Sequence, residues 1–512
     1  MKAIKNIMIA LSGIALLASC DMDKFFELDR PESNPWLSVD DLEYSVADPY
    51  NTLFQNPNWQ APIGIIPYYQ ELVADLSTVN PQGAYEQEAL YWYPRQMSTF
   101  DVTGQQFEKT FSILYRSVTG ATSPLTYIEE KEKKGEPVFA NMTENDKKTL
   151  ARQTGELYFM RGYTYWLISR AFVAPYDPAG GEGNNRKFIP LINRLDYSQE
   201  SARNPYMGTV KEVYDQMLSD FAKAKSLMPE DYFVRGRANK FSAAMMLMRV
   251  KWFMGDKDGA LEEADYVITK AEAGVAPFDL TEEPIVAFNR NAEQQYTVDP
   301  VSKEVMFECA FTESNQGNNV AIPLARMCKT GIYNFKSKTF DASNKLWLEG
   351  ARGSQNWQHG GWASAYWNPR LIKYIGWAVT DDPMDLTNYV PSAEALADKR
   401  FTQLHYFLKN YTDGGDKTIH EMAYNKTKWN AFWNDKYYRA PYGKYSQVPL
   451  IRLAEAYLTR ATLVLSKNAS QALGDVNKIR QRAGLTPLKN VTEADIEKER
   501  IKAKSNILII SD

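Results

Sequence analysis

The chain has 512 residues, of which 44% are hydrophobic, 13% aromatic and 24% charged, a globular balance that excludes a disordered, collagen-like or coiled-coil polypeptide. With 59 Lys and Arg against 63 Asp and Glu, the formal net charge is −4, so the basic footprint of a nucleic-acid-binding protein is missing. Three His and three Cys in the whole chain exclude a His-rich metal centre and a disulfide scaffold.

Lys2 and Lys5 precede an apolar run over residues 7–17. That run is too short for a bilayer span of about 20 residues, and reads as the core of a secretory signal peptide over residues 1–19. It ends in Leu17-Ala18-Ser19-Cys20, which resembles a bacterial lipobox. By that resemblance cleavage precedes Cys20, which is then lipidated. Several acyl chains anchor firmly, because each buried methylene contributes about 0.8 kcal/mol. Residues 20–38, acidic at Asp21 and Asp23 and punctuated by Pro31 and Pro35, read as a lipidated tether.

Helical patterning begins at Ser38, which can cap a helix to about residue 54 with Asp40 and Asp41 in its first turn. Phe107, Phe111, Leu114, Tyr115 and Val118 form one apolar stripe of a helix over 105–132. Thr143 precedes a longer helix over 144–172. A second helical group spans 209–273, as helices over 209–227, 237–254 and 257–273, the last two separated by Gly255-Asp256. Leu247, Ala260 and Ala264 fall where a 34-residue tetratricopeptide-like unit needs one large and two small residues. A third group, over 447–504, carries Ala454, Ala456, Ala461, Ala472 and Ala483. Plain bundle packing also uses such Ala-rich pairs, but three groups in one chain favour repeats.

Residues 275–446 differ in texture. Gly, Asn, Trp and Tyr dominate, and only 304–311 alternates as a short strand. The expected fold class is therefore mainly α, with tetratricopeptide-like helical repeats carrying a long loop-rich insertion with little β structure. The body, over 39–512, is a single unit made of helical groups at about 39–273 and 447–504 and a variable ligand region at about 275–446.

Catalytic constellations are poor. His359, His405 and His420 form no metal-binding pair and read as surface or hydrogen-bonding residues. No phosphate-cradling glycine loop is present, and nothing singles out one carboxylate pair for glycoside hydrolysis. Cofactor and metal sites are expected to be none. Cys309 and Cys328 either pair or pack as small hydrophobes. Two aromatic clusters stand out as flat platforms with polar tips. Tyr91, Trp92 and Tyr93 with Arg95 lie between early helices. Trp357, Trp362, Tyr366 and Trp367 lie in the variable region, the first two flanking Gly360-Gly361. Taken singly, each aromatic reads more readily as the plug of a loop-rich core.

Pro449-Leu450-Ile451-Arg452-Leu453-Ala454-Glu455-Ala456-Tyr457-Leu458, followed by Asn477, Ile479, Arg480, Arg482, Ala483 and Gly484, resembles the SusD/RagB family of Bacteroidetes outer-membrane nutrient-binding lipoproteins. Met160-Arg161-Gly162-Tyr163, the later Phe188-Ile189-Pro190-Leu191, residues 241–256 and the lipobox agree with it. The resemblance implies a lipid-anchored protein of the outer membrane, facing the exterior. It would bind an oligosaccharide or polysaccharide and act as a hinged lid over a SusC-like TonB-dependent transporter. A peptide-binding RagB-like lipoprotein and, at greater distance, a lipid-anchored glycoside hydrolase are the alternatives. After Arg500 the sequence departs from the family, whose members continue with a stretch rich in Glu, Arg and Trp; a naturally short member and a truncated frame both fit this.

Overall fold

The computed structural model describes residues 36–54, 62–73, 77–79, 104–196, 198–288, 302–310, 333–334, 339–340, 348–349, 365–379, 390–411, 429–434, 436 and 448–503. Cys20, Tyr91, Trp92, Tyr93, Arg95, Cys328, Trp357, His359, Trp362, His420 and the residues after Ala503 lie outside them.

Helix starts fall where the capping residues put them. The Ser38 hydroxyl accepts from the Asp41 amide at 3.2 Å and opens α1 (Val39–Phe54). Two helices follow within the next 80 residues, α2 (Pro62–Val73) and α3 (Gly104–Lys133). The strand β1 (Ser77–Val79) lies between them. Neither α2 nor β1 belongs to the sequence expectation; Pro67 lies inside α2, where a proline interrupts the helical signal. Thr143 and Asp146 cap each other's backbone at 3.1 and 2.8 Å and start α4 (Glu144–Phe172). A hairpin of β2 (Lys187–Pro190) and β3 (Met207–Thr209) flanks the short α5 (Gln199–Arg203). Thr209 and Glu212 form a second capping box at α6 (Val210–Leu227). Asn239 caps α7 (Lys240–Phe253), and Asp256 caps α8 (Lys257–Glu272). Gly255 takes a φ of +80° in the turn between them, a conformation that favours a residue without a Cβ.

These helices pack in sequence: α1 on α3, α3 on α4, α4 on α6, α6 on α7, and α7 on α8. The stack then skips the insertion, and α8 packs on α12 (Leu453–Val464). α12 in turn packs on α13 (Ala469–Arg482) and α14 (Glu493–Ala503). The repeat pattern is thus one continuous array, as the small residues anticipate. Ala260, Ala264, Ala454, Ala456, Ala461, Ala472 and Ala483 are all buried. The α4–α6 crossing is equally close: a Cβ on Gly162 would sit 3.0 Å from the Phe221 ring.

Buried two-pronged ion pairs tie the elements of the array to one another. Arg161 of α4 donates to both oxygens of Asp220 at 2.9 and 2.7 Å. Arg249 of α7 does the same to Glu455 of α12, both at 2.7 Å. Arg460 joins α12 to Asp475 of α13 at 2.8 and 2.7 Å. Removing one partner of such a pair costs about 3–5 kcal/mol, since it strands a buried charge.

The insertion begins and ends on one pair of strands. β4 (Val305–Cys309) runs antiparallel to β13 (Val448–Arg452), with Cys309 opposite Val448. β4 lies within the expected strand, whereas β13 corrects the reading of 447–504 as wholly helical. Val448 and Ile451 suit a fully buried strand, and Pro449 sits where the register shifts, a place that tolerates its missing N–H. Cys309 is buried and is a free thiol, its pKa pushed up by burial and then by Glu308.

Within the insertion lie the hairpin of β5 (Tyr333–Asn334) and β6 (Thr339–Phe340), and then β7 (Leu348–Glu349) and β8 (Ala365–Trp367). α9 (Pro369–Tyr374) leads to the β9 (Ala378–Val379) and β10 (Val390–Pro391) pair. α10 (Ala393–Ala397) and α11 (Lys399–Leu404) follow. β11 (His405–Tyr411) then pairs with β12 (Trp429–Asn434) and with β7. A second core forms here from Trp367, Ile372, Ile375, Trp377, Ala378, Ala395 and Phe401, together with Ile501 of α14.

Candidate functional site

A two-stranded ribbon joins the helical body to the insertion. β1 pairs antiparallel with β8, Ser77 opposite Trp367 and Val79 opposite Ala365. The chain therefore leaves β1 and enters β8 at the same end of the ribbon. The stretch that follows Val79 carries Tyr91, Trp92, Tyr93 and Arg95, and the stretch that precedes Ala365 carries Trp357 and Trp362. The two segments that carry these clusters, more than 250 residues apart in sequence, thus join the described structure at one end of the ribbon. On the body side α2 holds the ribbon's base, with Gln70 Nε2 donating to the Arg170 carbonyl at 2.9 Å.

The other end of the ribbon is core. Trp367 is 5% exposed. It stacks on Trp377 at 5.7 Å and 21° and meets the His405 ring edge-on at 4.7 Å. The ammonium of Lys436 sits 5.8 Å from its ring centre. Trp367 is therefore a core tryptophan, and the expectation of an exposed platform does not extend to it. Tyr366 alternates with it along β8, paired to Thr78. His405 is buried, its Nδ1 2.9 Å from the Arg400 carbonyl oxygen. A carbonyl can only accept, so Nδ1 carries the proton. This hydrogen bond supports the structural reading of that residue.

Beneath this core lies a joint of buried charges that sequence reading does not find. Arg400 donates to Asp398 at 2.9 and 2.8 Å and to Glu499 of α14 at 2.7 Å. Glu499 also accepts from Arg480 of α13 at 2.6 Å. Burial alone would raise the Glu499 pKa, but Arg400, Lys502 and Arg480 outweigh it and hold the carboxyl down to about 2. Next to it, Glu304 accepts from Arg452 at 2.5 Å and from Arg482. Burial brings Arg482 down to about 10 against the pull of Glu304, and the neighbouring Arg452 and Arg400 cations add to the fall. The partners are 178 and 99 positions apart for Arg482–Glu304 and Arg400–Glu499, so no local motif announces them.

A groove of about 310 Å³ opens between α1 and α3. Asp48 and Thr52 line one wall and Arg116, Thr119 and Ser123 the other, with Leu195 at one side. Gly120 forms part of the wall; a Cβ there would lie 2.3 Å from the Asp48 carboxylate. Among the described residues neither Asp48 nor Arg116 has a side-chain hydrogen bond or ion pair. Tyr44, one helical turn before Asp48, is 82% exposed. No group of three or more His, Cys, Asp or Glu among the described residues is arranged to hold a metal ion.

Two family models cover the two halves of the chain. Residues 56–251 match a SusD-like model described as "Starch-binding associating with outer membrane", and residues 303–503 match the SusD family model. The chain belongs to the SusD family. The SusD-like protein P2 of Formosa agariphila is 25% identical over 354 residues, which are 68% of this SusD-family chain and 59% of that curated relative. A SusD-like carbohydrate-binding protein from Bacteroides vulgatus superposes with a TM-score of 0.62 at 15% identity, covering 91% of this chain and 81% of the other. A SusD superfamily protein from Bacteroides thetaiotaomicron gives 0.62 at 17%, covering 92% and 88%. A surface glycan-binding protein A from Bacteroides uniformis gives 0.57 at 16%, covering 91% and 85%. At these identities the structural likeness is one of fold. No described helix is long and apolar enough to cross a membrane.

Proposed function

We propose that the protein is a lipid-anchored SusD-type receptor of the outer membrane that captures a glycan at the cell surface. It passes the ligand to a SusC-like TonB-dependent transporter, over which it closes as a hinged lid, and performs no chemistry on it. The observation that carries this reading is the match of both chain halves to SusD-family models, one of them described as starch-binding and outer-membrane-associating. Three features support its parts. The lipobox ending in Cys20 supplies the anchor. The helical array offers an extended surface of the kind that binds a protein partner. The β1–β8 ribbon sends out the segments bearing Tyr91, Trp92, Tyr93, Arg95, Trp357 and Trp362 from a common origin, which fits a ligand site built from both. Aromatic faces stack on pyranose rings while their polar tips and the Arg95 guanidinium reach hydroxyls.

Native gels holding amylopectin, xylan, laminarin or mannan test the capture step. Trp92→Ala and Trp362→Ala are expected to weaken retention about tenfold, roughly 1.4 kcal/mol, with an unchanged melting temperature. Retention of both variants at the parent level, or an early melt of both, refutes the site. Release of shortened oligosaccharides by the purified protein refutes the non-catalytic reading.

A further inference from the structure

We propose that the groove between α1 and α3 is a second saccharide subsite, lined by residues other than the aromatics of the segments that leave the ribbon. The inference rests on the glycan-capture reading above and adds a place to it. Its chemistry is that of sugar recognition. Asp48 supplies a carboxylate that accepts from two hydroxyls, and Arg116 supplies a planar donor fork. Thr52 adds a hydroxyl that both donates and accepts, whereas the Thr119 hydroxyl is spent on the Tyr115 and Arg116 carbonyls at 3.0 Å and can only accept.

Asp48 and Arg116 line the same cavity yet, among the described residues, do not pair with one another. Two complementary charged groups that stay apart across a groove leave their hydrogen-bonding capacity to whatever enters it. Tyr44 completes the set. Residues i and i+4 of a helix are neighbours on one face, so the exposed Tyr44 ring stands at the rim beside Asp48. There a sugar's C–H face can stack while its hydroxyls turn into the groove.

The volume is at the small end for ligand pockets, which run from about 300 to 1,000 Å³. It suits one or two sugar units of a longer chain. A peptide would use other means, an open sheet edge or an apolar trough. This groove has helical walls, and among the described residues Leu195 is its sole apolar lining side chain.

The test uses the full chain in the same polysaccharide gels and in titrations with the matching hexasaccharides. The variants are Tyr44→Ala, Asp48→Asn and Arg116→Ala alongside Trp92→Ala. Tyr44 is exposed, so its truncation leaves folding intact, and a melting curve checks each variant. Polysaccharide affinity is expected to fall about three- to tenfold in Tyr44→Ala and Arg116→Ala. The fall should be smaller for a hexasaccharide, because only a long chain engages both sites at once. If the parent binds a polysaccharide and all three groove variants bind it equally well, the subsite is overturned while glycan capture stands. If the parent binds none of the polysaccharides, the capture reading fails and takes the subsite with it.

Discussion

Glu499→Gln is the sharpest probe of the buried joint. Its carboxylate accepts from Arg400 and Arg480 and lies 3.6 Å from Lys502, and it is almost wholly buried. A fall in pKa from 4.5 to about 2 corresponds to about 3 kcal/mol of preference for the charged form, at roughly 1.4 kcal/mol per pH unit. The low end of the cost of breaking a buried ion pair, about 3–5 kcal/mol, agrees. Because the folded pKa is depressed, this stability is fully present above pH 4.5 and is lost as pH falls through 2. Glutamine keeps the shape and removes the charge. The variant should therefore lose about 3 kcal/mol at pH 7, and its deficit should shrink steadily between pH 4.5 and 2. Urea titrations at several pH values measure the deficit, and amide hydrogen exchange over 393–404 and 493–503 locates it. A variant that keeps parent-level protection at pH 7, or whose deficit stays constant down to pH 2, refutes the account.

Ala260→Trp overpacks the α7–α8 crossing, where Ala260 is fully buried, and should cost about 1–3 kcal/mol or more; an unchanged melting temperature refutes the packing. Cys20→Ala should move the protein from the membrane to the soluble fraction, since the acyl chains are its expected attachment. Palmitate labelling that persists in that variant refutes the lipobox.

Most of the helical array is legible in the sequence because its signals are local. Thr143 with Asp146, and Thr209 with Glu212, mark starts that the structure keeps within a residue. The alanines of α8, α12 and α13 mark close crossings. Signals that need a distant partner are not legible. β13 becomes a strand through β4, whose Cys309 lies 139 positions before its partner Val448. The joint between Arg400 and Glu499 looks in sequence like ordinary surface charge. Trp367 groups with Trp357 and Trp362 by sequence proximity, yet pairing with β1 fixes it over Trp377 and His405. Tyr44 and Asp48 read only as the polar face of an amphipathic helix, and it takes α3 alongside to make that face one wall of a groove.

The pairing of Cys309 with Val448 makes the region between them an exchangeable cassette. Both of its ends are stapled to neighbouring positions of a buried two-stranded sheet. Lengthening or replacing what lies between then changes closure entropy only logarithmically, by about 0.6 kcal/mol per doubling of length. The insertion can then diversify while the helical array stays as it is. The exchange carries an electrostatic condition. Arg400, itself held by Asp398, belongs to the cassette but neutralises Glu499 of the array. A transplanted cassette must bring an equivalent cation, or arrive together with an apolar residue at position 499.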